Sequence, residues 1–271
     1  MINKIINNLK KPHLIPGKII NAIRFNKFKK RYKIKTYDND QNIKFDQLKL
    51  DREKGIFKLN QLKEQNPVLN RAMSSEHETL FSAISLLKKN EELNILEIGT
   101  HDGVNSYLLS LLFENSKIKT IDLKNEDHEF QNSYNRKKNF LNFITERNKI
   151  IKKKKNIFFK EENSLNLISA KEKYDLIWVD GSHGYPTACI DIINSLKLIN
   201  NNGLILCDDV YVEEPKIQDK TYRSIATYET ISALEKEKLI NYHLIYKRLD
   251  PLHNCDPKKR KFIAILNKNF I

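Results

Sequence analysis

The stretch from Ile95 to Gly103 constrains this chain more than any other. An apolar run, Ile95-Leu96-Glu97-Ile98, is broken by two glycines four positions apart, Gly99 and Gly103. Val104, Tyr107, Leu108, Leu111 and Leu112 then recur at the spacing of one helical face,. The order is strand, glycine-containing turn, helix. Glycine suits such a turn because a Cβ would keep the backbone away from a ligand. The first N–H groups of the helix have no partner inside it and point into the same space. In an open α/β sheet, a nucleotide-like ligand sits at the carboxyl end of the first strand.

The spacing narrows the ligand. A dinucleotide fingerprint is Gly-x-Gly-x-x-Gly, whereas here Glu97 is followed by Gly99 and Gly103 as Glu-x-Gly-x-x-x-Gly. That pattern resembles the first motif of the class I S-adenosylmethionine-dependent methyltransferases. The resemblance implies that Glu97, Gly99, Thr100 and Gly103 underlie the methionine part of that cofactor. A second strand over Ile118, Thr120 and Ile121 ends at Asp122, 25 residues beyond Glu97. That is where a βαβ unit places a carboxylate on a ribose diol. A third strand, Ile157 to Phe159, leads to Asn163 and Ser164, which the resemblance sets near the adenine.

The remaining elements follow from apolar patterning. Tyr174 to Asp180 is nearly continuously apolar, as a strand covered on both faces should be,. A helix carrying Cys189, Ile192, Ile193, Leu196 and Ile199 follows, then a fifth strand, Leu204 to Cys207, ending in Asp208-Asp209. Val210 to Tyr222 reads as an irregular lid,. A helix at about Ser224–Lys238 and an antiparallel hairpin of Tyr242–Tyr246 with Phe262–Leu266 complete the chain. The expected fold is α/β: a Rossmann-like class I methyltransferase sheet, mostly parallel, with a C-terminal antiparallel hairpin and helices on both faces. Residues 71–271 form the catalytic domain in this reading, preceded by a peripheral, partly helical segment over 1–70.

Charge supports that division. The chain of 271 residues carries +14, and Met1 to Tyr37 holds 11 Lys/Arg and no acid, leaving about +3 for the remainder. The basicity therefore says little about the substrate of the catalytic part, and nucleic acid is not the expected partner. Residues 1–37 could rest on an anionic membrane surface as a basic amphipathic helix. No apolar run approaches the roughly 20 residues that span a membrane. Cys189, Cys207 and Cys255 have no zinc spacing and suit a reducing compartment,. The expected location is the cytoplasm, with membrane association through the basic segment; oligomeric state stays open.

The chemistry gathers at two strand ends. Asp180-Gly181-Ser182-His183 closes the fourth strand and Asp208-Asp209 the fifth, so three carboxylates are expected at one rim of the sheet. Such acids repel unless a cation sits among them, and oxygen-only ligands favour Mg²⁺ or another hard divalent ion. The set Val179-Asp180-Gly181-Ser182-His183 with Asp208-Asp209 resembles the metal-dependent O-methyltransferases of macrolide sugars and, more distantly, catechol and caffeoyl-CoA O-methyltransferases. The resemblance implies that Asp180, Asp208 and Asp209 hold the metal, with Asp180 also near the cofactor, and that His183 is the general base. The acceptor would be a hydroxyl of a sugar in a surface glycan or secondary metabolite. The alternatives are a catechol-type acceptor, or an RNA methyltransferase using its basic arm, for which no Pro-Pro-Tyr or Pro-Cys motif is found.

Overall fold

The structure is a computed structural model, and it describes residues 37–70, 75–89, 91–215, 222–254 and 256–268. The basic segment, as far as residue 36, and Cys255 lie outside the described residues.

Seven strands form one sheet: β1 (Asn94–Ile98), β2 (Lys117–Asp122), β3 (Ile157–Glu161), β4 (Tyr174–Val179), β5 (Ile199–Val210), β6 (Ile240–Tyr246) and β7 (Phe262–Lys268). Their order is β3-β2-β1-β4-β5-β7-β6. The first five are parallel to one another, and β7 lies antiparallel between β5 and β6. The chain reverses direction at β1, where β2 and β4 flank it on opposite sides. That is the switch point at which open α/β sheets bind ligands.

Alternation along the strands sends side chains into two cores. Ile95, Leu176, Trp178 and Leu206 face one, while Leu96, Ile98, Ile177, Val179, Ile205 and Cys207 face the other. The first core is covered by α1 (Tyr37–Gln47), α2 (Arg52–Gln65), α3 (Glu76–Leu87), α4 (Val104–Leu112) and part of the helix Phe140–Ile151. The second is covered by α7 (Thr187–Leu198) and α8 (Ala226–Lys236), through Ile192, Leu198, Ile231 and Leu234. Between β2 and β3 run α5 (His128–Asn132) and α6 (Phe140–Ile151); α9 (Pro251–Asn254) joins β6 to β7.

The expected boundary at residue 70 runs through a shared core. Phe45, Leu59 and Leu69 are buried in the same cluster as Leu80, Ile95 and Trp178. Polar residues fasten these helices to the sheet as well. The Gln41 amide donates to the Tyr246 carbonyl at 3.0 Å, and its oxygen accepts the Tyr246 N–H at 2.9 Å. Arg52 Nε lies 2.9 Å from Glu76 Oε2, with Gln41 on the same carboxylate at 3.1 Å. Among the described residues no helix is long and apolar enough to cross a membrane.

Candidate active site

The glycine turn ends β1 as expected, but its glycines answer to neighbours in the protein itself. Gly99 has φ +102°, and a Cβ there would fall 2.2 Å from the Asp180 carbonyl oxygen. Gly103, with φ +76°, caps α4, and a Cβ on it would lie 2.9 Å from Ile151 Cγ1 on α6. The end of β1 is thus pressed directly onto the residue that closes β4. Close approach is needed between strand ends before any ligand is considered.

Glu97 and Thr100 face inward. Glu97 is 1 % exposed, and its carboxylate accepts hydrogen bonds from Asn105, Ser106 and Thr120. Burial pushes it up to about 7, against those three donors. Thr100 is buried, with its hydroxyl 2.6 Å from that of Thr120. Both residues brace α4 and β2 beneath the turn. Asp122, at the end of β2, accepts the His101 N–H at 2.8 Å and the Leu123 N–H at 2.9 Å. Burial raises its affinity for a proton, with Arg136 opposing. Asn163 is exposed, and its side chain caps the short helix Ser164–Ser169 by accepting the Leu165 N–H at 3.0 Å.

The rim acids and the histidine do converge. His183 is buried, with Nε2 at 3.7 Å from Asp180 Oδ1 and 3.9 Å from Asp209 Oδ2. Burial lowers the proton affinity of its imidazole, although the nearby carboxylates of Asp209 and Asp208 oppose the shift. Burial and the charge of Asp208 raise Asp180 well above the usual carboxylate range. Asp209 occupies a left-handed conformation, φ +52°, where the pairing of β5 with β7 shifts register between Cys207 and Val210. Such a bulge re-aims a side chain; here neighbouring Asp208 and Asp209 both reach Lys247.

Two lysines that carry no motif complete the cluster. Tyr246 of β6 pairs with Phe262 of β7, and one residue beyond, the Lys247 N–H donates to the Lys261 carbonyl at 3.0 Å. The Lys247 ammonium lies 2.5 Å from Asp208 Oδ2 and also donates to Asp209 Oδ1; Lys261 reaches Asp209 Oδ2 at 2.5 Å. Burial alone would lower Lys247, but the carboxylates of Asp208, Asp209 and Asp180 raise it. Asp209 would be raised by burial, yet Lys247, His183 and Lys261 hold it well below its ordinary value.

The donor set therefore does not fit the divalent ion expected from the sequence. Among the described residues, no group of three His, Cys, Asp or Glu could hold a metal ion. A divalent ion placed between Asp208 and Asp209 would also face the Lys247 ammonium. Unit charges about 4 Å apart repel by about 4 kcal/mol at an effective dielectric near 20, and a divalent ion doubles that.

Aromatic rings wall the space beside the rim. The His101 ring meets Tyr134 and Phe143 edge-on, at 5.0 and 5.4 Å, and Tyr134 lies 4.6 Å from Tyr222. Burial raises the Tyr134 phenol above its usual value, and the charges of Asp180 and Asp209 add to this. Tyr134 thus stands near the acids and next to the turn. Only its place in the long β2–β3 connection, which the sequence reading leaves without a role, could have singled it out.

Comparison with known proteins agrees with this fold. Residues 96–210 match a family model described as a methyltransferase domain. Among curated proteins none matches the sequence. A Klebsiella pneumoniae protein assigned as an O-methyltransferase superposes with a TM-score of 0.52 at 15 % identity, covering 78 % of this chain and 90 % of its own. The O-methyltransferase TomG from Streptomyces achromogenes, involved in tomaymycin synthesis and solved with S-adenosylmethionine, gives 0.51 at 15 %, over 84 % and 96 %. The N-methyltransferase NodS from Bradyrhizobium japonicum gives 0.50 at 15 %, over 76 % and 98 %. The architecture is that of a Rossmann-like methyltransferase. At these identities the likeness is one of fold, shared by oxygen- and nitrogen-methylating enzymes alike.

Proposed function

We propose that this protein is an S-adenosylmethionine-dependent O-methyltransferase in which His183 takes the proton from the acceptor hydroxyl. The observation that carries the reading is the contact between Gly99 and the Asp180 carbonyl. It sets the cofactor turn of β1 against the strand end that bears a buried, neutral-leaning imidazole. Gly99 and Gly103, at the start of α4, offer a close backbone cradle; Glu97 and Thr100 brace it. Asp122 holds the ribose, its two carboxylate oxygens already fixed by the His101 and Leu123 N–H groups. Asn163 and Ser164 border the adenine.

The cofactor supplies an electrophilic methyl on a sulfonium with a good leaving group. The protein has to align an oxygen and remove its proton. The proton goes to His183 Nε2, where Asp180 and Asp209 lie within 3.9 Å to stabilise the imidazolium. Holding both reactants in a near-attack arrangement supplies much of the remaining acceleration. Resemblance of the Asp180–His183 and Asp208-Asp209 motifs to the macrolide-sugar enzymes supports a sugar hydroxyl as acceptor. Mg²⁺ is left out of the reading, because Lys247 and Lys261 already neutralise the carboxylates that would hold it.

The test is transfer of a labelled methyl group from S-adenosylmethionine to activated sugars and glycolipids. Label in a methyl ether is the expected product; label only on nitrogen, or only on RNA, overturns the reading. Asp122→Ala should weaken S-adenosylhomocysteine binding by roughly 10-fold or more in calorimetry, the effect of losing hydrogen bonds to a charged group. Unchanged affinity would take Asp122 out of the cofactor site.

A further inference from the structure

Lys247 sits where the sequence predicts a metal. Its ammonium reaches Asp208 at 2.5 Å and also Asp209, within one cluster that includes His183 and Asp180. Lys247 is 8 % exposed, so it is built into the rim and does not merely lie across it. Its backbone is clamped on both sides. The Ser75 hydroxyl and the Glu76 N–H donate to its carbonyl at 3.1 and 2.9 Å, and its own N–H donates to Lys261. Glu76 is held in turn by Arg52 and Gln41. A three-helix framework outside the residues matched by the methyltransferase family model thus fixes the root of this one side chain.

Two ammonium groups offset most of the acid charge without an added ion. Asp180, Asp208 and Asp209 face Lys247 and Lys261, so two of the three carboxylate charges are matched by cations built into the chain.

We propose that Lys247 is the resident cation of this acid cluster: its ammonium fills the position between Asp208 and Asp209 that a divalent metal would take, and the protein handles its acceptor without a metal. Lys247 is in that role a positioning residue, which acts on the acceptor through Asp209 and His183. Treating the rim as an acceptor site rests on the methyltransferase reading; the competition between ammonium and metal does not.

The probe is Mn²⁺ alone, with free ion counted by its paramagnetic resonance signal in titrations of the full chain. The parent should show no saturable site up to about 1 mM, the weak end of protein sites for hard divalent ions. Lys247→Met should gain one site, at least roughly 10-fold tighter than anything in the parent, and Lys247→Met with Asp208→Asn should lose it. Circular dichroism melting checks that the variants fold; Lys247→Gln serves if Lys247→Met does not. A parent that binds one Mn²⁺ tightly, with loss in Asp208→Asn, overturns the proposal. So does a folded Lys247 variant that gains no site. In transfer assays EDTA should leave parental turnover unchanged, and Mn²⁺ should restore part of the turnover lost in Lys247→Met. If S-adenosylhomocysteine fails to bind while Mn²⁺ behaves as expected, the methyl-transfer reading falls and the resident cation remains.

Discussion

His183→Ala lowers turnover by roughly 10²–10⁴, the contribution of a positioned general base, while S-adenosylhomocysteine affinity stays close to that of the parent. The size follows from position: the imidazole is 4 % exposed, and its Nε2 lies 3.7 Å from Asp180 and 3.9 Å from Asp209. Cofactor affinity is spared because the turn is braced by Glu97, Thr100 and Thr120, none of which touches the imidazole in the hydrogen-bond pattern. The pH dependence carries a sign. Burial lowers His183 below its ordinary value, so the free base persists to lower pH, and activity should rise through a pKa below about 6.5. Steady-state rates between pH 5 and 8 check both points. A variant as fast as the parent removes His183 from the chemistry.

Asp191→Asn raises stability at pH 8 and does little near pH 4. Asp191 lies on α7, fully buried, and neither carboxylate oxygen is satisfied by a hydrogen bond. Burial pushes it up to about 7 from 3.8; the Ser164 hydroxyl approaches without offsetting much of that. Its folded-state pKa is raised, so between those two values the folded protein binds more protons than the unfolded chain, and stability falls as pH rises through that window. The whole shift corresponds to about 4 kcal/mol at 1.36 kcal/mol per unit. The buried amide of Asn recovers only part of this, because its own donors need partners, and roughly 2 kcal/mol of gain is expected. Thermal melts of parent and variant at pH 4 and pH 8 read the difference. An equal effect at both pH values would mean that the carboxylate is not the source of the penalty.

Both residues show what periodicity reveals and what it hides. The apolar runs of β1, β4 and β5 and the amphipathic stripe of α4 are local signals, so the parallel core of the sheet was legible. The meeting of Asp180, His183, Asp208 and Asp209 followed from one further assumption, that β4 and β5 are neighbours, and they are. Lys247 and Lys261 were hidden because their role depends on β7 entering between β5 and β6. A lysine after a strand looks like any solvated lysine until the pairing partner is known. The cue was present, since each strand of the hairpin carries a lysine where it meets the turn, but it names no chemistry by itself. Helix α6 was missed, and α1 and α2 were read only as part of a partly helical segment, for a different reason. Their exposed faces are rich in Asn, Lys and Gln, and only a few anchors such as Phe45, Leu59 and Ile150 mark the buried side. The glycines were placed correctly, but one demand on them was hidden. Gly99 and Gly103 make room for Asp180 and Ile151, contacts remote in sequence.

The Gln41 contact with Tyr246 reaches beyond packing. Among the described residues β6 is the last strand of the sheet, so its outer edge presents main-chain groups that another extended chain could pair with. Edges left open in this way invite association between copies. At Tyr246 the Gln41 amide takes both the N–H and the carbonyl, as a neighbouring strand would. One side chain thus imitates a missing eighth strand at the position next to Lys247. Loss of that imitation would unguard the edge one residue from Lys247 and the acids it holds, so that pairing with a second chain there would begin beside the site.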